Sequence, residues 1–351
     1  MEEHSLDSPK LTRHTSLDGL RGLAVMLVFL YHHDLFQLGW AGVDLFFVIS
    51  GFLITSILRQ TRTENHFWKQ FWIKRTTRIL PPLIPLLIAA WILDHSIFRF
   101  LPAYLFSFGD VIAFSHSKFE DTRPLWSLAV EEHFYLVWPF AVRFLERRRL
   151  VMILLLVVIG EPLLRAFTIR LVPNWEFIYF LTPFRLDGIC LGSLTALLME
   201  SETARNILKR LSMIGMALVA TTYVGLHKLM GAQFRRGQGP TYNALSYTLV
   251  ALLAFFLISY IITHKHSVLT HSLSFRPLVY LGTISYGLYL YQNVCSSLIL
   301  GLGLSFRSWT VASGVLTIIV ASLSFHFYEK QLTLLGKQKA RGLAGSKTMP
   351  L

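Results

Sequence analysis

The chain has 351 residues, of which 53% are hydrophobic and only 15% charged, with a formal charge of +13. A soluble domain sits nearer 25% charged, and the mean hydropathy of +0.51 comes from long apolar runs, which excludes an ordinary soluble enzyme. The basic excess is what positively charged loops at one membrane face produce, so a lipid bilayer and no nucleic acid is expected among the partners.

Taken in order, the chain opens on 16 polar residues (MEEHSLDSPKLTRHTS) that lack the apolar core of a secretory signal. Ten apolar spans follow, roughly 17–37, 41–59, 79–98, 126–145, 150–171, 177–199, 211–230, 243–263, 279–303 and 309–328. This predicts an all-α fold: a polytopic transmembrane helix bundle with both termini on one side. Placing that side in the cytoplasm puts 22 Lys and Arg in inside segments and 8 outside. Arg21, Arg165 and Arg185 remain within spans. That bias predicts cytoplasmic termini and a multi-pass protein of the plasma (inner) membrane. The expected organisation is a polar segment 1–16, a membrane domain 17–330 and a flexible cytoplasmic tail 331–351, with no further catalytic domain. Residues 100–125 start apolar (LPAYLFSF) and resist a simple loop reading. Cys190 and Cys295 lie in apolar runs without metal-ligand spacing, so no metal site is expected.

Ionisable groups inside spans are expensive and mark function by default. The stretch from Leu17 to Leu58 holds Arg21, His32, His33, Asp34, Asp44 and Ser50. Arg21 and His32 are eleven residues apart, about three turns, so they share one helix face about 16 Å apart along the axis. An imidazole there suits general base work, with a nearby carboxylate to orient it. Asp34 and Asp44 are the available carboxylates, and Asp44 is counted as catalytic on that ground. His33 points about 100° away and reads as a packing residue. Asp44 also reads as an N-cap, and Ser50-Gly51 as a site of close helix packing.

The basic, aromatic segment 59–78 places Lys74, Arg75 and Arg78 within one helical turn. It reads either as an interfacial surface facing anionic lipid or as a phosphate clamp for a cytoplasmic nucleotide such as coenzyme A. In the next motif, PLWSLAVEEHFYLVWP, Glu131 and Glu132 open the fourth span. Glu161 and Arg165 stand at i,i+4 and predict a buried ion pair.

These motifs resemble the membrane-bound acyltransferase-3 family over residues 15–330, in family order. LDGLRG, an Arg followed by His after ten residues, and GVDLFFVISGFLI resemble its opening signature. RTTRILPPLIP is similar to its Arg-x-x-Arg element, WSLAVEEHFY to its WSL-x-x-E-x-x-FY element, and FRLDG to a further family motif. LGTISYGLYLYQN and HFYEKQL match late motifs imperfectly, with Gln292 where a His is common and Gln331 where a Pro is. The resemblance implies an integral membrane O-acyltransferase of the O-antigen or exopolysaccharide-modifying type. Such a protein moves an acyl group, usually acetyl, from cytoplasmic acyl-CoA to a hydroxyl of a glycan or lipid-linked sugar. No bound cofactor is expected; acyl-CoA (acetyl-CoA) is the co-substrate. By the same resemblance His32 and Glu131 are catalytic and Arg75 and Arg78 hold acyl-CoA; the reading of the residues themselves adds Asp44 to the catalytic group and Arg21 to the acyl-CoA site. Ser50, Arg185 and Asp187 support or line the acceptor pocket. The alternatives are a proton-coupled transporter, a non-catalytic export partner, or an acyltransferase acting on a small metabolite such as a macrolide.

Overall fold

The computed structural model describes residues 14–115, 119–172, 174–231 and 239–345, and every regular element among them is helical. Helix α1 (Thr15–His32) ends five residues short of the expected span. The His33-Asp34 pair favours a turn over another apolar helical turn, and Asp34 takes a left-handed φ of 54°. Helix α2 (Ala41–Thr61) follows. Helix α3 (Phe67–Leu93) absorbs most of the segment 59–78 that the sequence reads as a loop, so Arg75 and Arg78 stand on a continuous helix. Pro81, Pro82 and Pro85 lie inside α3. Pro81 has no N–H to offer the Thr77 carbonyl. That carbonyl instead accepts from Thr333 Oγ1 at 3.2 Å.

A 3₁₀ turn and two short helices, α4 (Leu101–Leu105) and α5 (Gly109–Ser115), occupy the unusual segment before α6 (Leu125–Phe144) and α7 (Arg147–Leu171). The expected sixth span is broken into α8 (Trp175–Phe180) and α9 (Leu186–Met199) around Pro183. Helices α10 (Glu202–Met230) and α11 (Pro240–Thr263) form a long pair. After α12 (Val268–Leu273), the expected ninth span is interrupted at Ile284, giving α13 (Arg276–Thr283) and α14 (Ser285–Leu300). Helix α15 (Phe306–Ser324) runs through a π turn at Phe325–Glu329 into α16 (Lys330–Gly345). The flexible tail expected from 331 is therefore helical to 345. It packs on α3, with Ala340 buried and Gly336 against Thr77.

Among the described residues six helical segments are long and apolar enough to cross a membrane: Ala41–Thr61, Phe67–Leu93, Arg147–Leu171, Glu202–Met230, Pro240–Thr263 and Phe306–Gly342. Of these α2 is the most enclosed, 67% buried over its apolar window against 22% for α7 and α10, so α2 is the axis of the bundle. The outer helices turn Leu156, Leu163, Ile214 and Leu218 outward, as lipid-facing surfaces require.

Glycines let the central helices approach closely. Gly51 on α2 lies against the Ile189 backbone, and Gly192 on α9 against the Val48 carbonyl; a Cβ at either would collide with main chain. Gly19 and Gly22 of the LDGLRG run do the same for α1 against the Leu273 and Leu278 carbonyls. This tight core fixes the face of α1 that carries Arg21 and His32.

Candidate active site

Two polar cavities enter the bundle from opposite ends of α1. The first is a funnel with a wide part of about 540 Å³ and a narrow end of about 80 Å³. Both parts are bordered by Arg21, Leu53, Arg75, Arg78 and Tyr286, so they are continuous. The funnel wall holds five cations (Arg21, Lys74, Arg75, Arg78 and Lys337) against three carboxylates (Asp18, Glu131 and Glu329). At its rim, burial and then the Lys265 charge hold His14 below the ordinary imidazole range, so it adds no cation at neutral pH. This surplus suits an anion carrying several phosphates.

At the narrow end the side chains form a connected set. Arg75 stacks 4.2 Å from the centre of the Tyr135 ring. Tyr135 donates to Glu131 Oε2 at 2.8 Å, and Ser50 Oγ donates to Glu131 Oε1 at 2.7 Å. Tyr135 is one helical turn beyond Glu131 on α6, so one helix face supplies both groups. Glu132, its sequence neighbour, faces a separate small pocket beside Tyr104.

The second cavity, about 350 Å³, opens at the other end of α1. His32 borders it with Asp34, Glu120, Arg123, Glu176 and Asn293. Its apolar walls are Tyr31, Trp40, Trp126, Trp175, Tyr179, Phe180 and Tyr289. The Arg123 guanidinium pairs with Glu176 at 2.8 Å. His32 Nδ1 donates to the Val28 carbonyl at 2.9 Å. A carbonyl can only accept, so Nδ1 carries the proton and Nε2 is the basic nitrogen. The partner that fixes the tautomer is thus the backbone of α1, not the carboxylate expected from the sequence. His33 packs as expected, stacked on Phe29 and held at Nε2 by Ser296 Oγ at 3.3 Å.

The structure brings Arg21, Ser50, Arg75, Arg78 and Glu131 together in the funnel and places His32 in the other chamber. Asp44, Arg185 and Asp187 border neither cavity. Asp44 Oδ1 accepts from Arg185 at 2.9 Å in a fully enclosed pair. The guanidinium is ringed by Tyr247, Tyr179, Trp126 and Phe47 at 4.2 to 5.9 Å. Trp126 and Tyr179 also border the His32 chamber, so this pair shares two residues with its aromatic wall.

The Glu161–Arg165 pair expected from i,i+4 spacing is present at 3.3 Å and reaches further. Arg165 also donates to Asp187 at 2.9 Å, to the Phe184 and Ala244 carbonyls, and to Thr248. Glu161 accepts the Leu186 and Asp187 amides, capping α9. A buried charge with every proton placed holds helices together, and Asp187 belongs to that brace.

Several lining residues escape sequence reasoning. Lys337 reaches the funnel because the supposed tail is helical, and Glu329 because the π turn before it carries the HFYEKQL motif to the same wall. The Arg123–Glu176 pair joins residues 53 positions apart across a segment of short helices. Tyr289 and Val43 border both the narrow end of the funnel and the His32 chamber. Tyr289 lies in the SYGLYLYQN motif, which was the available signal.

The acyltransferase-3 family model, described as an acyltransferase domain, matches residues 14–326. The chain belongs to this family. It is 33% identical over 346 residues to the peptidoglycan O-acetyltransferase OatA of Listeria monocytogenes, covering 90% of this chain and 55% of that protein. It is 30% identical over 310 residues to the O-acetyltransferase OatA of Staphylococcus aureus, covering 79% and 49% respectively. The chain thus spans about half the length of the curated relatives it matches. No solved structure matches it.

Proposed function

We propose that this acyltransferase is a membrane O-acetyltransferase that takes acetyl from acetyl-CoA in the arginine funnel and passes it to a glycan hydroxyl held in the His32 chamber. The observation that carries the reading is the pairing of two unlike cavities around one helix. One is built for a polyanion. The other combines aromatic faces, carboxylates and amides with one accessible imidazole, the chemistry that holds a sugar and deprotonates it.

Arg75, Arg78 and Arg21, with Lys74 and Lys337, hold the CoA phosphates by charge-assisted hydrogen bonds. The thioester end enters the narrow end beside Ser50. Stacked aromatic walls orient the saccharide, with Arg123, Glu176 and Asn293 available to its hydroxyls. His32 Nε2 takes the proton of the attacking hydroxyl, the C–O ester bond forms as the acyl C–S bond breaks, CoA leaves as the thiolate and takes up a proton from water, and the imidazolium returns its proton to the solvent. Holding the two reactants in line contributes about 7–11 kcal/mol, and base catalysis about 10²–10⁴-fold in rate. Glu131, held by Ser50 and Tyr135, sets the polar end of the funnel and keeps Arg75 in place through the Tyr135 ring. The peptidoglycan named for the Listeria relative makes a cell-wall sugar the first acceptor to try.

The 2.7 Å contact between Ser50 and Glu131 favours one second reading, a transient acetyl ester on Ser50 with Glu131 taking the serine proton. The deciding experiment uses purified protein in liposomes with radiolabelled acetyl-CoA and glycan fragments. Label on the glycan, lost in His32→Gln, supports direct transfer. Label on the protein that disappears in Ser50→Ala supports the ester. No label on either, with any acceptor tried, refutes the acetyltransferase reading.

A further inference from the structure

The funnel and the His32 chamber meet at one side chain. Tyr289 borders both, with Val43 opposite on α2. The residue is 8% exposed, and its ring lies 6.1 Å from that of Phe46. Its hydroxyl lies 2.7 Å from Ser127 Oγ and donates to the Pro124 carbonyl at 3.2 Å. Both partners belong to the start of α6, the helix that carries Glu131. Its own carbonyl accepts from Gln292 Nε2 at 3.2 Å, so the residue that departs from the family pattern steadies the backbone at this point.

Resting on the donor and acceptor sites assigned above, we propose that Tyr289 is the partition between the two cavities and the residue that sets the size of the acyl group transferred. The narrow end of the funnel holds about 80 Å³. A two-carbon acyl group fits there beneath the tyrosine ring, and each added methylene presses on that ring. The acyl carbon reaches the acceptor hydroxyl only past Tyr289, so the side chain turns aside during transfer and returns to its Ser127 latch. In the latched position it keeps water of the acceptor chamber from the thioester. The lock is one aromatic ring and its hydroxyl contacts, light enough to move within a turnover and large enough to close the passage.

The test begins with labelling that needs no activity. In a background of Cys190→Ala and Cys295→Ala, Ser50→Cys places a thiol at the narrow end of the funnel. Sealed vesicles receive a membrane-impermeant charged thiol reagent on one face at a time. With Tyr289 intact, labelling is expected from the Arg75 face only. In Tyr289→Leu it is expected from both faces, and in Tyr289→Phe, which keeps the ring but loses both hydroxyl contacts, from both faces with slower labelling from the His32 face. Should Tyr289→Leu not fold, Tyr289→Phe, which removes both latch contacts, and Ser127→Ala, which removes one, keep the ring in place and are each expected to admit reagent from the His32 face. Equal labelling from the His32 face with and without the ring or its latch overturns the partition.

The second arm compares acetyl-CoA with butyryl-CoA on a Ser50 background. A methylene is worth about 10–200-fold in an apolar pocket, so the preference for acetyl is expected to fall by about tenfold or more in Tyr289→Leu. An unchanged preference overturns the size assignment. The arms also separate this proposal from the one beneath it. Two-sided labelling in Tyr289→Leu, with no acyl-CoA turnover by the protein that keeps Tyr289 and Ser50, keeps the partition and sinks the donor site. Normal acetyl transfer with unchanged labelling sinks the partition and keeps the donor site.

Discussion

The Asp44–Arg185 pair decides whether a carboxylate in the opening signature acts in chemistry or in architecture. Arg185 is wholly enclosed, and its only hydrogen bond to a side chain among the described residues is to Asp44 Oδ1 at 2.9 Å. Removing one partner of a buried pair costs about 3–5 kcal/mol, because the remaining charge stays buried alone. The surrounding π faces return about 0.5–2 kcal/mol of this, so Asp44→Ala is expected near the lower bound, about 3 kcal/mol. In the double variant Asp44→Leu/Arg185→Met both charges are gone and the volumes roughly kept. Such replacements are often neutral, so stability is expected within about 1 kcal/mol of wild type. The assay is reversible unfolding in detergent micelles, run beside acetyl transfer. A stable double variant with substantial transfer confirms a brace between α2 and the start of α9. A double variant as stable as wild type but inactive would refute the reasoning and return Asp44 to the chemistry. An Asp44→Ala protein of unaltered stability would refute it as well.

Three further outcomes follow from the same geometry. His32→Gln is expected to lower kcat by about 10²–10⁴-fold with KM for acetyl-CoA unchanged, since the proposed base lies about 16 Å from Arg21; steady-state kinetics with the glycan acceptor checks this. Arg75→Ala and Arg78→Ala are each expected to raise KM for acetyl-CoA about tenfold or more, as hydrogen bonds to a charged group contribute about 1.5–3 kcal/mol; a KM unmoved by both would empty the funnel of its assigned ligand. Gly192→Leu drives a side chain into the Val48 carbonyl and is expected to lose at least the about 1–3 kcal/mol of an overpacked core, read as a lower thermal midpoint in detergent; an unchanged midpoint would contradict the close α2–α9 contact.

The helical bundle was legible in the sequence because apolar runs with few charges admit little else. Where helices break was less so. The run 177–199 is apolar enough to read as one span, yet Pro183 and the buried Arg185 divide it, and the helix resumes only with Glu161 capping its amides. The reverse error occurred at 59–78. Its charges read as a loop, but on α3 Lys74, Arg75 and Arg78 face a polar cavity inside the protein, so a continuous helix carries no penalty. The tail from 331 looked polar overall; one face carries Thr333, Gly336 and Ala340 against α3, which fixes it as a helix.

The site was legible as residue types and only partly as groupings. Spacing put Arg21 and His32 on one side of α1, and that geometry holds, but a shared helix face does not make a shared cavity. The two lie at opposite ends of a passage that Tyr289 closes. Asp44, Arg185 and Asp187 drew attention for the same reason as the arginines of the funnel: a charge inside a span is expensive. Sequence cannot distinguish a charge kept to hold a ligand from one kept to hold a helix, because both show the same residue at the same depth. The partners decide it. Arg165 spends its donors on Glu161, Asp187, Thr248 and two carbonyls, leaving nothing for a substrate. Arg75 and Arg78 line open volume with a tyrosine ring beside one of them. An enclosed cation among protein acceptors builds the fold, and a cation lining a cavity is accessible to a phosphate. That distinction depends on long-range contacts, and the proposed chemistry follows it in resting on the two cavities.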